Sequence, residues 1–214
     1  ALLVGNIGGI RAVKNAGWDR KIYTDAGLNV FNDLSIHFLT EKGIDLVTLS
    51  LELTFAQMEK MNFGSAGIEC IVHGALPMMV SEYCAIGAVL GGSCGETPCS
   101  GPCRERSFAL KDRMNFMFPV EVDRFCRMHI YNPKELCLIA HVDRFIRLGV
   151  NSLRIEGKRY RPEVVYQVTR SYREVIDAAL GKLNKSIDLE EREKSLEKLS
   201  AAGFTKGHYF RGVI

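Results

Sequence analysis

The chain has 214 residues, with 28 Lys and Arg against 25 Asp and Glu. A net charge of +3 does not by itself indicate nucleic-acid binding, and no apolar run approaches the roughly 20 residues of a membrane span. The length suits one large domain, and the lack of a visible signal peptide leads us to expect a cytoplasmic protein without a membrane partner.

Short apolar runs alternate with helical segments in the first third of the chain. The runs cover 2–6, 21–25, 45–50 and 67–72, and a fifth follows at 151–155. A helix is predicted over 32–42, closed by Gly43, and a shorter one over 54–62. This alternation, at about 20 to 25 residues per unit, indicates parallel βαβ units.

The pattern changes at Pro77. Residues 80–106 are rich in Gly and Cys without a clear period, 107–113 and 117–131 alternate as extended chain, and 133–148 is predicted helical. We interpret 77–132 as an insertion between the fourth and fifth βα units. The tail at 181–214 is predicted helical, and Asp188 with Glu191 forms a capping-box-like start.

Polar side chains follow every apolar run. Because the carboxyl ends of parallel strands line the active site in parallel α/β folds, these side chains are candidates for a shared pocket. Helix caps and turn formers would give the same pattern, so that alternative stays open for each residue. The residues are Asn6, Asp25, Asn29, Ser50, Glu52, His73 and Glu156.

Cysteines are concentrated between positions 84 and 126. Without a secretory signal, clustered thiols indicate metal or redox chemistry more than disulfides. Cys99 and Cys103 form a CxxxC turn, and together with Cys84 and Cys126 they would supply four thiolates for an iron–sulfur cluster or a structural zinc. Spacing does not choose between the two. Small buried thiols without metal are the alternative, which we favour for Cys70 and Cys137.

Two arginines lie near these thiols. Arg113 and Arg127 could bind a carboxylate or phosphate of a substrate, or tune the charge of a cluster. An exposed ion pair of Arg113 with Asp112 explains the first equally well. Further along, four basic residues flank Glu156: Arg154, Lys158, Arg159 and Arg161. A surface that faces a polyanion is one interpretation, and a charged helix surface is the one that we favour.

Short motifs extend along the whole chain. In order they are Glu69-x-x-x-His73-Gly74-Ala75-Leu76, Cys84, Cys99-x-x-x-Cys103, Leu110-Lys111-Asp112-Arg113, Phe118-Pro119-Val120, Cys126-Arg127-x-x-Ile130-Tyr131-Asn132 and Leu153-Arg154-Ile155-Glu156-Gly157-Lys158, continuing through Tyr172-Arg173 to Gly203-Phe204-Thr205-Lys206-Gly207. This series resembles the collagenase-like peptidase family U-32.

The resemblance implies one of two activities. The family name records proteolysis without an assigned catalytic type. Better-understood relatives are oxygen-independent hydroxylation proteins that act on transfer RNA, ribosomal RNA or a ubiquinone precursor, several of them with a 4Fe–4S cluster. The implied fold is a TIM-type barrel whose cluster cysteines follow the seventh strand.

On this basis we expect an α/β fold, a partial TIM-type (β/α) barrel of the last five βα units over 1–180. The cysteine-rich insertion then lies between the penultimate and last strands. Five strands cannot close an eight-stranded barrel. We therefore expect that the chain is a fragment, completed by the missing N-terminal half of the barrel or by a partner subunit.

The chain departs from the family pattern at Pro77, where the usual motif has a cysteine. The ligand set that the resemblance implies is therefore Cys84, Cys99, Cys103 and Cys126, with Cys94 as a spare.

The leading hypothesis is iron–sulfur-dependent hydroxylation of an RNA base or an aromatic ring. Catalytic candidates are His73, as acid or base, with Glu52 and Glu156. Substrate-binding candidates are Arg113, Arg127, Asn29 and Asp25. Two alternatives remain: a collagenase-like peptidase, and a non-catalytic zinc-stabilised protein that binds RNA or another subunit.

Overall fold

A computed structural model of the chain describes residues 1–92, 98–183 and 186–211. The chain divides into two compact units. The first contains Ala1–Gly74, Leu136–Ser200 and Phe204–Ile214, and the second contains Ala75–Glu135 and Ala201–Gly203. In the described ranges, no helix combines the length and the apolar character needed to cross a bilayer.

The strands are, in chain order, β1 (Leu2–Val4), β2 (Ile22–Thr24), β3 (Leu46–Thr48), β4 (Gly67–Gly74), β5 (Pro77–Ser81), β6 (Phe108–Lys111), β7 (Met117–Val122), β8 (Met128–Tyr131), β9 (Glu135–Cys137), β10 (Ser152–Glu156) and β11 (Phe204–Thr205). The helices are α1 (Ile7–Asn15), α2 (Asp33–Glu41), α3 (Phe55–Met58), α4 (Ala85–Val89), α5 (Val142–Arg147), α6 (Pro162–Ala179) and α7 (Leu189–Glu197). Single 3₁₀ turns lie at Ala26–Leu28, Pro102–Arg104, Ile139–His141 and Gly207–Tyr209.

The five predicted apolar runs form a parallel sheet in the first unit, which confirms that prediction. Their order is β1-β2-β3-β4-β10, every pair parallel, and β9 and β11 extend this to a sheet of seven described strands. β4 is the longest strand, and seven of its eight residues are buried. Burial on both faces explains why apolar residues occupy successive positions of this strand rather than alternate ones, with Glu69 as a buried polar exception.

Helix caps in the first unit follow the sequence signals. The Asn32 side chain accepts a hydrogen bond from the Ser35 N–H at 2.9 Å and starts α2, and Gly43, with φ +69°, follows its end. Asp188 accepts from the Glu191 N–H at 3.0 Å and starts α7, as predicted. These bonds satisfy N–H groups that the first turn leaves unpaired.

The prediction of a helix over 133–148 is wrong in its first half. Glu135–Cys137 is a strand that pairs antiparallel with the end of β4, where Gly74 faces Leu136, and only Val142–Arg147 is α-helical. The Leu138 N–H donates to the Val72 carbonyl at 3.0 Å. The pairing partner is remote in sequence, so local periodicity carries no sign of it.

The second unit contains a four-stranded antiparallel sheet of order β5-β8-β7-β6. The extended alternation predicted at 107–113 and 117–131 corresponds to β6, β7 and β8. β5 and α4 were not predicted. Four buried side chains form a small core under the sheet: Ile86, Val120, Met128 and Ile130.

Candidate functional site

Four thiols of the second unit line one cavity of about 370 Å³: Cys84, Cys99, Cys103 and Cys126. These are the four residues predicted as metal ligands. Cys84 is the N-cap of α4, Cys103 lies in the 3₁₀ turn Pro102–Arg104, and Cys126 follows β7. The fold thus brings residues that are up to 42 positions apart in the sequence to the lining of one cavity.

Backbone N–H groups point at two of these sulfurs. The Gly87 N–H donates to Cys84 Sγ at 3.3 Å, and the Gly101 N–H donates to Cys99 Sγ at 3.3 Å. Hydrogen bonds from backbone N–H groups to ligand sulfurs are also found around iron–sulfur clusters, where they tune the cluster.

Two glycines leave room beside the same sulfurs. A Cβ on Gly87 would lie 3.4 Å from Cys99 Sγ and 3.6 Å from Cys84 Sγ. A Cβ on Gly91 would lie 2.3 Å from Cys99 Sγ, which is closer than atoms approach. Any side chain at Gly91 would therefore displace the Cys99 thiol.

A carboxylate fixes the turn that carries Cys126. Asp123 Oδ1 accepts from the N–H groups of Phe125 and Arg127 at 2.9 and 3.0 Å, and Oδ2 binds the Arg127 guanidinium and His129. Burial alone would raise the pKa of Asp123, but the hydrogen bonds from Arg127 hold it well below its usual range. Cys126 adopts the left-handed region at φ 61°, which the closed turn imposes.

In the residues that the structure describes, no three His, Cys, Asp or Glu side chains are grouped as ready ligands of one metal ion. Cys94, the spare thiol, lies outside the described residues. The ligand set stays a prediction. Cys70 and Cys137 are buried thiols, and burial raises the pKa of Cys137 to about 11.

A second polar cluster lies on the sheet of the first unit, centred on Arg154. Its guanidinium contacts Asp25 at 2.6 Å, Glu156 at 2.6 Å and Glu69 at 3.3 Å. The Arg154 side chain is 17% exposed and lies in β10, so its predicted place on a helix surface is wrong. Lys158 does lie in solvent, 3.5 Å from Glu156.

This cluster holds more negative than positive charge. Glu69 is buried and also accepts from the hydroxyls of Thr48 and Ser152, at 2.9 and 2.7 Å. Burial alone would raise the pKa of Asp25, yet hydrogen bonding and charge from Arg154 hold it below its usual value. Arg154 is therefore the group that keeps the Asp25 carboxylate ionised.

His73 is 1% exposed and lies inside the first unit. Its ring packs against Tyr160, Tyr172 and Phe204, and the Tyr172 hydroxyl is 3.5 Å from Nδ1. Burial lowers the pKa of His73 to about 4, so its imidazole is neutral at physiological pH. The geometry gives it aromatic neighbours rather than contact with the Arg154 cluster.

The other strand-end candidates have local partners. Asn6 caps α1, and Asp25 accepts from the Ala26 N–H, so both also act as caps. Ser50 donates to Asn29 Oδ1 at 2.7 Å, and Glu52 is exposed. The fold thus joins two pairs of these candidates, Asn29 with Ser50 directly and Asp25 with Glu156 through Arg154.

The arginine candidates of the second unit differ in their surroundings. Arg113 is exposed in the turn after β6, whereas Arg127 is ion-paired with Asp123 at 2.7 Å. Sequence reasoning missed Arg154, Glu69 and Asp123 as organising residues. A signal existed for the first two, because both stand in the quoted motifs.

The sequence profile described as "Peptidase family U32" matches residues 1–213 of the chain. The chain belongs to peptidase family U32. Among U32 relatives, the chain is 28% identical over 202 residues to a protein of Porphyromonas gingivalis named collagenase, covering 88% of this chain and 47% of that protein. It is 27% identical over 250 aligned residues to tRNA hydroxylation protein P of Escherichia coli, covering 97% of this chain and 54% of that protein.

A third U32 relative is the 23S rRNA 5-hydroxycytidine C2501 synthase of Escherichia coli, 30% identical over 145 residues and matched over 67% of this chain and 21% of that protein. The chain spans about half the length of the first two relatives. No solved structure gives a significant match.

Proposed function

We propose that this chain is part of a cytoplasmic, iron–sulfur-dependent enzyme that hydroxylates a base of RNA. The observation that carries the proposal is the cavity lined by Cys84, Cys99, Cys103 and Cys126. Support for the substrate comes from relatives named for tRNA hydroxylation and for synthesis of 5-hydroxycytidine in 23S rRNA. An aromatic small molecule is the other substrate class that the sequence analysis allows.

The donor set suits a 4Fe–4S cluster. Soft thiolates are the ligands that such clusters use, and four cysteines line this cavity. N–H donors at Cys84 and Cys99, and the room left by Gly87 and Gly91, fit a group held among these sulfurs. When bound through four thiolates, the cluster would supply one-electron redox chemistry. Zinc is the alternative occupant of the same thiols.

We further propose that the five parallel strands are the last five units of a TIM-type barrel. The remaining units would come from the missing N-terminal half or from a partner subunit. The order β1-β2-β3-β4-β10 supports this proposal, because the five parallel strands lie side by side in the order in which the chain forms them, as they do in such a barrel. Each of these strands also ends in the polar side chains described above.

In the first unit, the proposed roles follow from charge and burial. Asp25 and Glu156 both contact the Arg154 guanidinium, at 2.6 Å each, and would orient polar groups of a substrate. His73, neutral through burial, would accept or donate one proton at its position among Tyr160, Tyr172 and Phe204. Glu52, exposed, would act as a carboxylate base. Arg113, Arg127 and Asn29 remain substrate-binding proposals.

Proteolysis is the second candidate, supported by the relative named collagenase, which matches 88% of this chain. A thiol nucleophile would require one of the four cavity cysteines to be free of metal. Hydroxylation therefore requires these thiols to bind the cluster, whereas thiol-dependent proteolysis requires one of them to be free of it.

Anaerobic purification tests the leading proposal. We expect a brown protein with the broad visible absorption of an iron–sulfur cluster, about four irons per chain, and loss of that absorption in Cys99→Ala and Cys103→Ala. In RNA from cells lacking the protein, nucleoside mass spectrometry should show a base without its added oxygen. A colourless protein with stoichiometric zinc would refute the cluster, and iron-independent cleavage of gelatin would favour the peptidase.

A further inference from the structure

Two large aromatic side chains project into solvent at the thiol cavity. Tyr83 lines the cavity next to Cys84 and is 66% exposed. Phe125 is 61% exposed and immediately precedes Cys126, another residue of the cavity wall. Large rings exposed in the cavity lining and next to it in the chain mark a binding surface, since folding gains nothing from leaving them in water.

Guanidinium groups accompany these rings. Arg124 lies over the Phe125 ring, with its Cζ 4.6 Å from the centroid, and Arg127 lies at 5.2 Å. Asp123 neutralises Arg127, but in the part of the chain that the structure describes Arg124 has no carboxylate partner. Arg104, which lines the cavity, likewise has none there. Two positive charges are thus available to an anionic ligand.

The turn that presents Phe125 is already ordered. Asp123 binds the N–H groups of residues 125 and 127 and the side chains of Arg127 and His129. A surface fixed in this way loses little conformational freedom when a ligand arrives. The backbone that carries Phe125 and Arg124 therefore has the same conformation before the ligand binds.

Aromatic faces beside cations are the recognition elements for unpaired bases. A base stacks on a Phe or Tyr ring or on a guanidinium, while arginines hold the flanking phosphates. We propose that Tyr83, Phe125, Arg104 and Arg124 form a base-stacking surface that holds a single-stranded segment of RNA beside the thiol cavity. The inference rests on the proposed function and adds the residues that select an unpaired base.

The test is binding of a fluorescein-labelled single-stranded oligoribonucleotide of mixed sequence to the full chain, purified anaerobically and followed by fluorescence anisotropy. Tyr83→Ala and Phe125→Ala should each raise the Kd by roughly 5- to 100-fold, the loss of one base stack. Tyr83→Phe should bind as the wild type does. Arg124→Gln should lower the slope of log Kd against log salt by about 0.7.

Phe116→Ala is the matched control for Phe125→Ala. Phe116 is 45% exposed in the other hairpin turn of the same sheet, where Asp112 Oδ1 closes the turn on the N–H groups of residues 114 and 116 at 2.8 Å each. This variant should keep the wild-type Kd. Duplex RNA of the same sequence should compete poorly, because its bases are already stacked.

Equal Kd values for wild type, Tyr83→Ala and Phe125→Ala overturn the surface assignment while leaving the proposed hydroxylation standing. A change in sedimentation of these variants with unaltered RNA binding also overturns it, and assigns the rings to a protein interface. A wild-type chain that binds no single-stranded RNA overturns the surface and the proposed RNA substrate together.

Discussion

Replacing Arg154 by methionine should destabilise the first unit more than any exposed arginine replacement. Methionine keeps the length and the apolar stem but removes the guanidinium. Asp25, Glu69 and Glu156 would then face one another, with 35%, 11% and 19% of their side-chain surfaces exposed. None of the three has another arginine among the described ion pairs, and Lys158, 3.5 Å from Glu156, is almost fully solvated.

Removing one partner of a fully buried ion pair costs about 3–5 kcal/mol. Water reaches part of this cluster and recovers some of that cost, so we expect the free energy of unfolding to fall by about 2–4 kcal/mol at pH 7. Because a domain is stabilised by only about 5–15 kcal/mol in total, the loss is readily measured.

The loss should shrink as the pH falls. In the wild type Arg154 keeps the pKa of Asp25 low, so the stabilisation is present above about pH 4 and is lost as the pH falls through the lowered value. In Arg154→Met the burial that raises the pKa of Asp25 is no longer opposed. Protonation then removes the repulsion, which brings the variant closer to the wild type in acid.

Urea unfolding followed by fluorescence of Trp18 measures this difference. Trp18 is the one tryptophan of the sequence and lies in the first unit. Arg147→Met is the control, because Arg147 is 69% exposed and pairs with Asp143 on the helix surface; it should cost less than about 0.5 kcal/mol. An equal loss in both variants at pH 7, or a gap that does not narrow as the pH falls below about 4, would refute the reasoning.

Three further outcomes follow from the structure. Tyr172→Phe removes a buried hydroxyl bonded to two backbone groups at 2.8 and 3.1 Å, so the thermal midpoint should fall by the equivalent of about 1–3 kcal/mol, whereas exposed Tyr166→Phe should not lower it. Gly91→Ala should reduce the iron bound per chain after anaerobic reconstitution, because its Cβ would overlap a cavity sulfur; Gly5→Ala, with nothing within 4 Å, should load fully. The ring protons of His73 should show no NMR titration between pH 5.5 and 8, and a titration midpoint near pH 6.5 would contradict this. Acidification below about pH 6.5 should lower the free energy of unfolding, because the His73 side chain takes up a proton there only in the unfolded chain.

The parallel half of the fold was predictable because its signals are local. Each of the five strands is a short apolar run between turn residues, and the caps at Asn32 and Asp188 bind N–H groups three positions away. The choice of Cys84, Cys99, Cys103 and Cys126 came from the family resemblance instead. The fold places all four at one cavity, and their role as metal ligands stays a prediction.

The remainder depends on partners distant in sequence. β9 is a strand because β4, some 60 residues earlier, offers its carbonyl groups. β5 is a strand because its Pro77 end pairs with Tyr131 in β8. Arg154 looked like part of a charged surface because Lys158 and Arg159 follow it. Its guanidinium instead pairs with Asp25, which lies 129 positions away in the sequence.

Gly74 and Leu136 face each other across an antiparallel pair, so the chain leaves the first unit and returns to it at adjacent points. Gly74 has φ +122°, and a Cβ there would lie 2.4 Å from the Glu156 carbonyl oxygen, so the exit point admits only glycine. Because these two ends are neighbours, the segment 75–135 between them should tolerate lengthening, shortening or exchange without a change in the register of the parallel strands. A short hairpin turn joining these two positions should give a foldable first unit, and the cysteine-rich segment could in turn be grafted onto any scaffold that presents two antiparallel strand ends.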